Sequence, residues 1–231
     1  MGAMQTVTAV AHRGDPYRFR ENTIDSLRSA LDRGADAVEV DVRLTRDGVP
    51  VLLHDDTLRR LWRHDRPLAA LSAEEVRGLT AGGVPTLAQA LAATGDSRVL
   101  LDLCGRVGRR TADRVVDAVR QSGAEDRVYY CAGAEAMLAV RAADPAAEIA
   151  LTWTSLAPPR PALLDAVRPR WLNYRFSLVS RDLAARVHHD GRLLSVWTPD
   201  TRRAMTRLLD LGVDSITTNR VAALHTLRNG A

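Results

Sequence analysis

The sequence predicts an α/β fold, a (β/α)8 TIM barrel with a short hairpin-and-lid insertion after the second barrel strand. Three observations carry this expectation. Eight short apolar runs alternate with helical patterns from one end of the chain to the other. The helical patterns repeatedly close on glycine, at Gly34, Gly95, Gly123, Gly191 and Gly212, the usual C-terminal stop. The length of 231 residues suits one barrel near the lower end of its size range. A doubly wound open sheet would show the same alternation, but its glycine fingerprint is missing after the first strand.

Strands are expected at 6–12, 37–43, 98–104, 127–132, 148–153, 171–176, 193–198 and 215–219, where apolar and β-branched residues run for five to seven positions. Helices are expected at 23–33, 87–94, 110–122, 134–143, 161–167, 181–189 and 201–211, where apolar residues recur on one face. One connection breaks the rhythm. Asp47-Gly48 between two apolar runs is a hairpin signal. Folding back at Arg46/Asp47 would place His54 opposite Glu39. Residues 56–85 then read as a small polar lid over the barrel mouth, within one domain spanning 4–231.

Composition narrows the function. Hydrophobic residues make up 46% and charged residues 26%, as in ordinary soluble proteins. No apolar run approaches the ~20 residues that span a bilayer, so no stable membrane anchor is expected. The N-terminus lacks the basic segment and apolar core of a signal peptide, which makes a cytoplasmic location the default. All 32 basic residues are Arg, which excludes the lysine-dependent chemistry of Schiff bases and P-loops. The net charge of +4 is spread along the chain and aromatics are only 4%, so nucleic acid is not an expected partner. Cys104 and Cys131 form neither a disulfide framework nor a zinc spacing and are expected to be reduced and buried.

The residues that carry chemistry lie at the ends of the first three barrel strands. Glu39 and Asp41 alternate with Val38, Val40 and Val42, so the acids share one strand face and the valines the other. Acids on an otherwise apolar strand are costly to bury unless something positive sits between them. Asp102 ends the neighbouring strand, and the three carboxylates together are hard oxygen ligands for Mg²⁺ or Ca²⁺. His12 and His54 end strands at the same mouth and are the candidate general acid and base for phosphoryl transfer. Arg13 would balance charge on phosphoryl oxygens. His64, His188, His189 and His225 fall in the lid or on helices and read as surface residues.

These positions, His12-Arg13-Gly14, Glu21-Asn22-Thr23, Gly34, Glu39-x-Asp41, Thr45-x-Asp47-Gly48 and His54-Asp55, resemble the signature of the glycerophosphodiester phosphodiesterase family. Val84-Pro85-Thr86-Leu87, Val196-Trp197-Thr198, Gly212-Val213-Asp214 and Thr218 continue the resemblance in order. It implies a metal-dependent barrel that hydrolyses small glycerophosphodiesters to glycerol phosphate and an alcohol. It also implies His12 and His54 as the catalytic pair, Glu39, Asp41 and Asp102 as metal ligands, and Arg13 as a phosphate contact. Glu21 would help shape the site and Trp197 would line the pocket.

The chain departs from the family on the third barrel strand, where Asp102-Leu103-Cys104 stands for the usual Glu-x-Lys. Asp shortens the reach by one methylene, and Cys removes a cation that Arg106 or Arg175 would have to replace. The last strand ends in Thr218-Asn219 where the family commonly has Thr-Asp. Two rival readings follow. One is phospholipase D-like cleavage of lysophospholipids through a cyclic phosphate, which Asp102 and the short lid favour. The other is a barrel that binds a phosphodiester without turnover, which the missing Lys favours.

Overall fold

The computed structural model describes residues 7–230. Eight parallel strands close a barrel: β1 (Thr8–His12), β2 (Ala37–Leu44), β4 (Arg98–Leu103), β5 (Val128–Ala132), β6 (Ile149–Trp153), β7 (Trp171–Arg175), β8 (Leu193–Trp197) and β9 (Ser215–Thr218). Each pairs in parallel with its neighbours, and β1 pairs with both β9 and β2 to seal the ring. The short strand β3 (Pro50–Leu52) lies outside the ring, antiparallel to β2. The expected first strand began at Thr6, which lies outside the described residues, as do residues 4, 5 and 231 of the expected domain. The other strands fall within a residue or two of their expected bounds.

The helices α1 (Ile24–Asp32), α4 (Leu87–Ala93), α5 (Arg109–Gln121), α6 (Ala134–Ala143), α7 (Pro161–Val167), α8 (Arg181–His189), α9 (Arg202–Asp210) and α10 (Val221–Arg228) surround the ring. Side-chain caps from Thr23, Thr86, Ser180 and Thr201 start four of them, each satisfying an otherwise unpaired first-turn N–H. Val38, Val40 and Val42 point outward into the main core beneath these helices. The inward faces fill the barrel with a smaller plug that includes Val10, Leu100, Tyr129, Ala150 and Trp171. This plug floors the barrel and leaves the C-terminal strand ends to polar side chains. No helix among the described residues is long and apolar enough to cross a membrane.

The excursion after β2 differs from expectation in register. Val42 pairs with Leu52, Arg43 with Val51 and Leu44 with Pro50, and Leu53 N–H donates to Asp41 O at 3.0 Å. That ladder would carry His54 toward Val40, not Glu39. The cause is the turn: Gly48 takes φ +80° and donates to Thr45 O at 2.9 Å. The loop therefore holds three residues with a left-handed glycine, not the two that a fold at Arg46/Asp47 assumes.

The insertion also proves less polar than expected. It contains α2 (Arg59–Trp62) and α3 (Ala73–Leu79). Leu58, Leu68, Leu71, Val76 and Val84 pack on Val51 and Leu53 into a core of their own. His225 is half-buried, occupying the space where a Cβ at Gly34 would lie 2.6 Å from its Nδ1. It is not a plain surface residue.

Candidate active site

The turn after β1 builds the first half of the site. His12 closes the strand in register with Glu39 on β2. Arg13 and Asn22 then adopt φ of 58° and 57°, which aims the Arg13 N–H at Glu39 Oε2, 2.9 Å away. Gly14 between them is obligatory. Its φ is +87°, and an added Cβ would lie 2.4 Å from Ser26 Oγ and 2.6 Å from the Ser26 carbonyl carbon on α1.

Asp41 is the hub. Asn22 Nδ2 donates to Asp41 Oδ2 at 2.7 Å, and Asp41 N–H donates to Asn22 Oδ1 at 3.1 Å. Arg13 Nε lies 2.9 Å from Asp41 Oδ2, and the Cys104 thiol donates to Asp41 Oδ1 at 3.1 Å. Asp41, Asp102 and Cys104 offer ligand atoms within 4.8 Å of one another. Asp41 and Asp102 are register partners on β2 and β4. Glu39 stands outside that group, its carboxylate turned to the Arg13 N–H, so the three expected ligands share one wall without forming one tight cluster.

This wall is overloaded with negative charge. Burial and then the Asp41 charge push the Glu39 carboxyl well above the usual range. The same two causes raise Asp102 to about 6. Burial also pushes up the Cys104 thiol, with Asp41 and Asp102 adding to it, so sulfur stays protonated. Arg13 Nη1 is tied to Glu21 at 3.0 Å. Buried Glu39 and Asp41 with half-buried Asp102, gathered around one guanidinium, are the donor chemistry of a hard divalent cation, and the residues fit that group. Cys104 brings no positive charge, and neither Arg106 nor Arg175 lines the inner cavity.

The inner cavity has a volume of about 300 Å³, with His12, Glu39, Asp102, Cys104 and Trp197 in its lining. Burial and then the Arg13 charge lower the His12 pKa. Trp197 leaves its indole N–H buried without a hydrogen-bond partner. His54 lies elsewhere, in an adjoining groove of about 780 Å³ that shares Gly105 with the cavity. Its Nδ1 is 2.8 Å from Asp55 Oδ1. Arg60 clamps this side, contacting both Asp55 and Glu21 at 2.6 Å. Its hydrogen bond, against a smaller burial effect, brings the Asp55 carboxyl down to about 2. For Glu21, burial acts upward, but hydrogen bonds from Arg60 and the Arg13 charge outweigh it.

Two polar groups escaped sequence reasoning. Asp200 receives hydrogen bonds from Thr218 Oγ1, Asn219 N–H and Asn219 Nδ2 at 3.0, 2.9 and 2.7 Å. The Asn219 side-chain oxygen Oδ1 is thereby turned to His12 Nδ1 at 2.8 Å. Asn173 joins Thr152 and Ser195 in a chain across three barrel strands at 3.1 and 2.6 Å, and Asn173 and Thr152 line the inner cavity. Their signal was position alone: Asn173 sits on a barrel strand, and Asp200 follows one by three residues.

The Glycerophosphoryl diester phosphodiesterase family matches residues 12–223. A "Glycerophosphodiester phosphodiesterase" of Caldanaerobacter subterraneus subsp. tengcongensis is 28% identical over 226 residues, covering 91% of this chain and 93% of its own. A Mycobacterium tuberculosis relative named "Probable glycerophosphodiester phosphodiesterase 2" is 30% identical over 244 residues, covering 94% and 88%. The fold is shared with an Oleispira antarctica phosphodiesterase solved in complex with the product sn-glycerol-3-phosphate, at TM-score 0.88, 20% identity and 96% coverage of both chains. A glycerophosphodiester phosphodiesterase of Parabacteroides distasonis gives TM-score 0.85 at 24% identity, over 99% of both chains. With the motifs in place around one barrel mouth and the family match running from His12 to residue 223, the chain belongs to the glycerophosphoryl diester phosphodiesterase family, whose members are phosphoric diester hydrolases.

Proposed function

We propose that this chain hydrolyses glycerophosphodiesters to glycerol phosphate and an alcohol, with Mg²⁺ or Ca²⁺ held by Glu39, Asp41 and Asp102. The observation that carries the reading is the crowding of the Glu39, Asp41 and Asp102 carboxylates beside His12 at the C-terminal end of adjoining strands. Cys104 is left out of the ligand set, because burial keeps it a thiol and sulfur suits neither ion. A bound divalent cation supplies positive charge against the phosphoryl oxygens.

The two histidines divide the proton work. Asn219 accepts from His12 Nδ1–H, leaving Nε2 with a lone pair, and the lowered His12 pKa keeps it there near neutral pH. Neutral His12 takes the proton from the attacking water as the oxygen–phosphorus bond forms. His54, backed by the Asp55 carboxylate, gives its proton to the alcohol oxygen as that bond to phosphorus breaks. Arg13 Nη2 has no hydrogen-bond partner among the described residues and is free to meet a phosphoryl oxygen. Glu21 holds Arg13 in that position, and Trp197 walls the pocket.

The test is a product assay on glycerophosphodiesters with and without chelator, run on wild type and His54→Ala. Free glycerol phosphate, lost on chelation, is the expected outcome. His54→Ala should lose at least ~10²-fold in rate while binding metal normally by calorimetry. A cyclic phosphate as end product would favour the phospholipase D-like route, and no turnover with any divalent ion would favour a binding barrel.

A further inference from the structure

The groove on the His54 side carries a charge pattern that hydrolysis of the phosphodiester bond itself does not require. Arg43, Arg59, Arg60 and Arg106 line it, against only Asp55 and Asp56. Arg60 and Asp55 neutralise each other, with Glu21 completing the clamp. Arg59 reaches only as far as Asp65, at 4.0 Å. Neither Arg43 nor Arg106 forms an ion pair among the described residues.

Arg43 is also held in place. Its Nε donates to the His54 carbonyl at 2.7 Å, which ties the guanidinium to the backbone of the candidate acid and leaves both Nη groups unengaged. Gly105 makes room for it, since an added Cβ there would lie 2.9 Å from Arg43 Nη1. Gly105 belongs to the walls of both the cavity and the groove, so the guanidinium stands at the junction between them. A fixed Arg fork with its outer donors free is the standard recognition element for a phosphate or carboxylate.

We infer that this groove is a second anion subsite, and that it takes an alcohol leaving group which itself carries a negative charge. The inference rests on the hydrolytic reading above, in which His54 protonates the leaving oxygen and the alcohol therefore departs along the wall His54 lines. Arg43 and Arg106 grip the distal anion of that alcohol. The same field disfavours a cationic alcohol such as choline.

The experiment compares two substrates with the same scissile bond: glycerophosphoglycerol, and glycerophosphoglycerol bearing a terminal phosphate. Wild type should prefer the phosphorylated diester by about fivefold or more in kcat/KM at low ionic strength, with the preference shrinking in about 0.5 M salt. The ratio of the two kcat/KM values should collapse toward one in Arg43→Ala, in Arg106→Ala and in the double variant. Calorimetric titration of both diesters into His12→Ala reads the same preference as a ratio of Kd values without turnover. Equal kcat/KM and equal Kd for the two diesters, or a preference that survives in the double variant, overturns the subsite. If neither diester is hydrolysed by wild type but the phosphorylated one binds more tightly through Arg43 and Arg106, the subsite stands and the hydrolytic reading falls.

Discussion

His12 Nδ1 and Asn219 Oδ1 lie 2.8 Å apart, joining the ends of the first and last barrel strands. The Asn219 amide nitrogen is engaged by Asp200, so its oxygen has only one way to face. A neutral acceptor thus fixes the His12 tautomer without adding negative charge behind the ring.

Replacing Asn219 tests that arrangement. Asn219→Asp puts a carboxylate behind the ring, which favours the protonated imidazole and raises its pKa. The neutral base then forms only at higher pH, so the acidic limb of the kcat/KM profile should move upward. Asn219→Ala should cost about 10- to 100-fold in rate. A profile unchanged in Asn219→Asp would detach this contact from catalysis.

Asp102 predicts how pH acts on the metal-free protein. Its folded pKa of about 6 lies above the ordinary 3.8, so the folded state binds this proton more tightly than the unfolded state does. The associated stability is fully present below about pH 4 and is lost as pH rises through about 6. Urea unfolding in chelator across that window should show the decline, and Asp102→Asn should flatten it. Adding a divalent cation at pH 7 should restore stability in wild type, but much less in Asp102→Asn.

Arg60 works in the opposite direction. Asp55 has a folded pKa of about 2, so its contribution is present above about pH 4 and fades as pH falls toward 2. Arg60→Ala should destabilise the protein by about 1 kcal/mol near neutrality. The difference from wild type should shrink at pH 3, read by denaturant midpoints at each pH.

Gly14→Ala probes the backbone under the site. The substitution forces a Cβ into Ser26 at a left-handed φ, and should cost about 2 kcal/mol or more. The Arg13 N–H would shift away from Glu39, so activity should fall even at temperatures where the variant remains folded. Circular dichroism and turnover on the same sample separate the two effects.

The alternation of strands and helices was readable because side chains repeat with the period of the element that buries them. Val38, Val40 and Val42 could face only the helices once Glu39 and Asp41 faced inward. The Asp47-Gly48 hairpin was equally legible, but its loop length was not. A single residue separates the two-residue turn from the three-residue turn with Gly48 left-handed, and it moved His54 off the Glu39 register. The apolar core of residues 56–85 went unread for a related reason. Its leucines and valines come from short pieces with no sustained period, packed on a strand outside the ring.

By itself, the sequence determined the barrel, the family and the residue types at the mouth, because those depend on local periodicity and motif spacing. Only the tertiary structure decided which groups touch. Asp41 is shared by Arg13, Asn22 and Cys104, Asn219 is turned by Asp200 toward His12, and Arg43 is held against the His54 backbone. Each of these contacts joins different strands or loops, and their geometry is set by ring closure and barrel register, which no local stretch of sequence encodes.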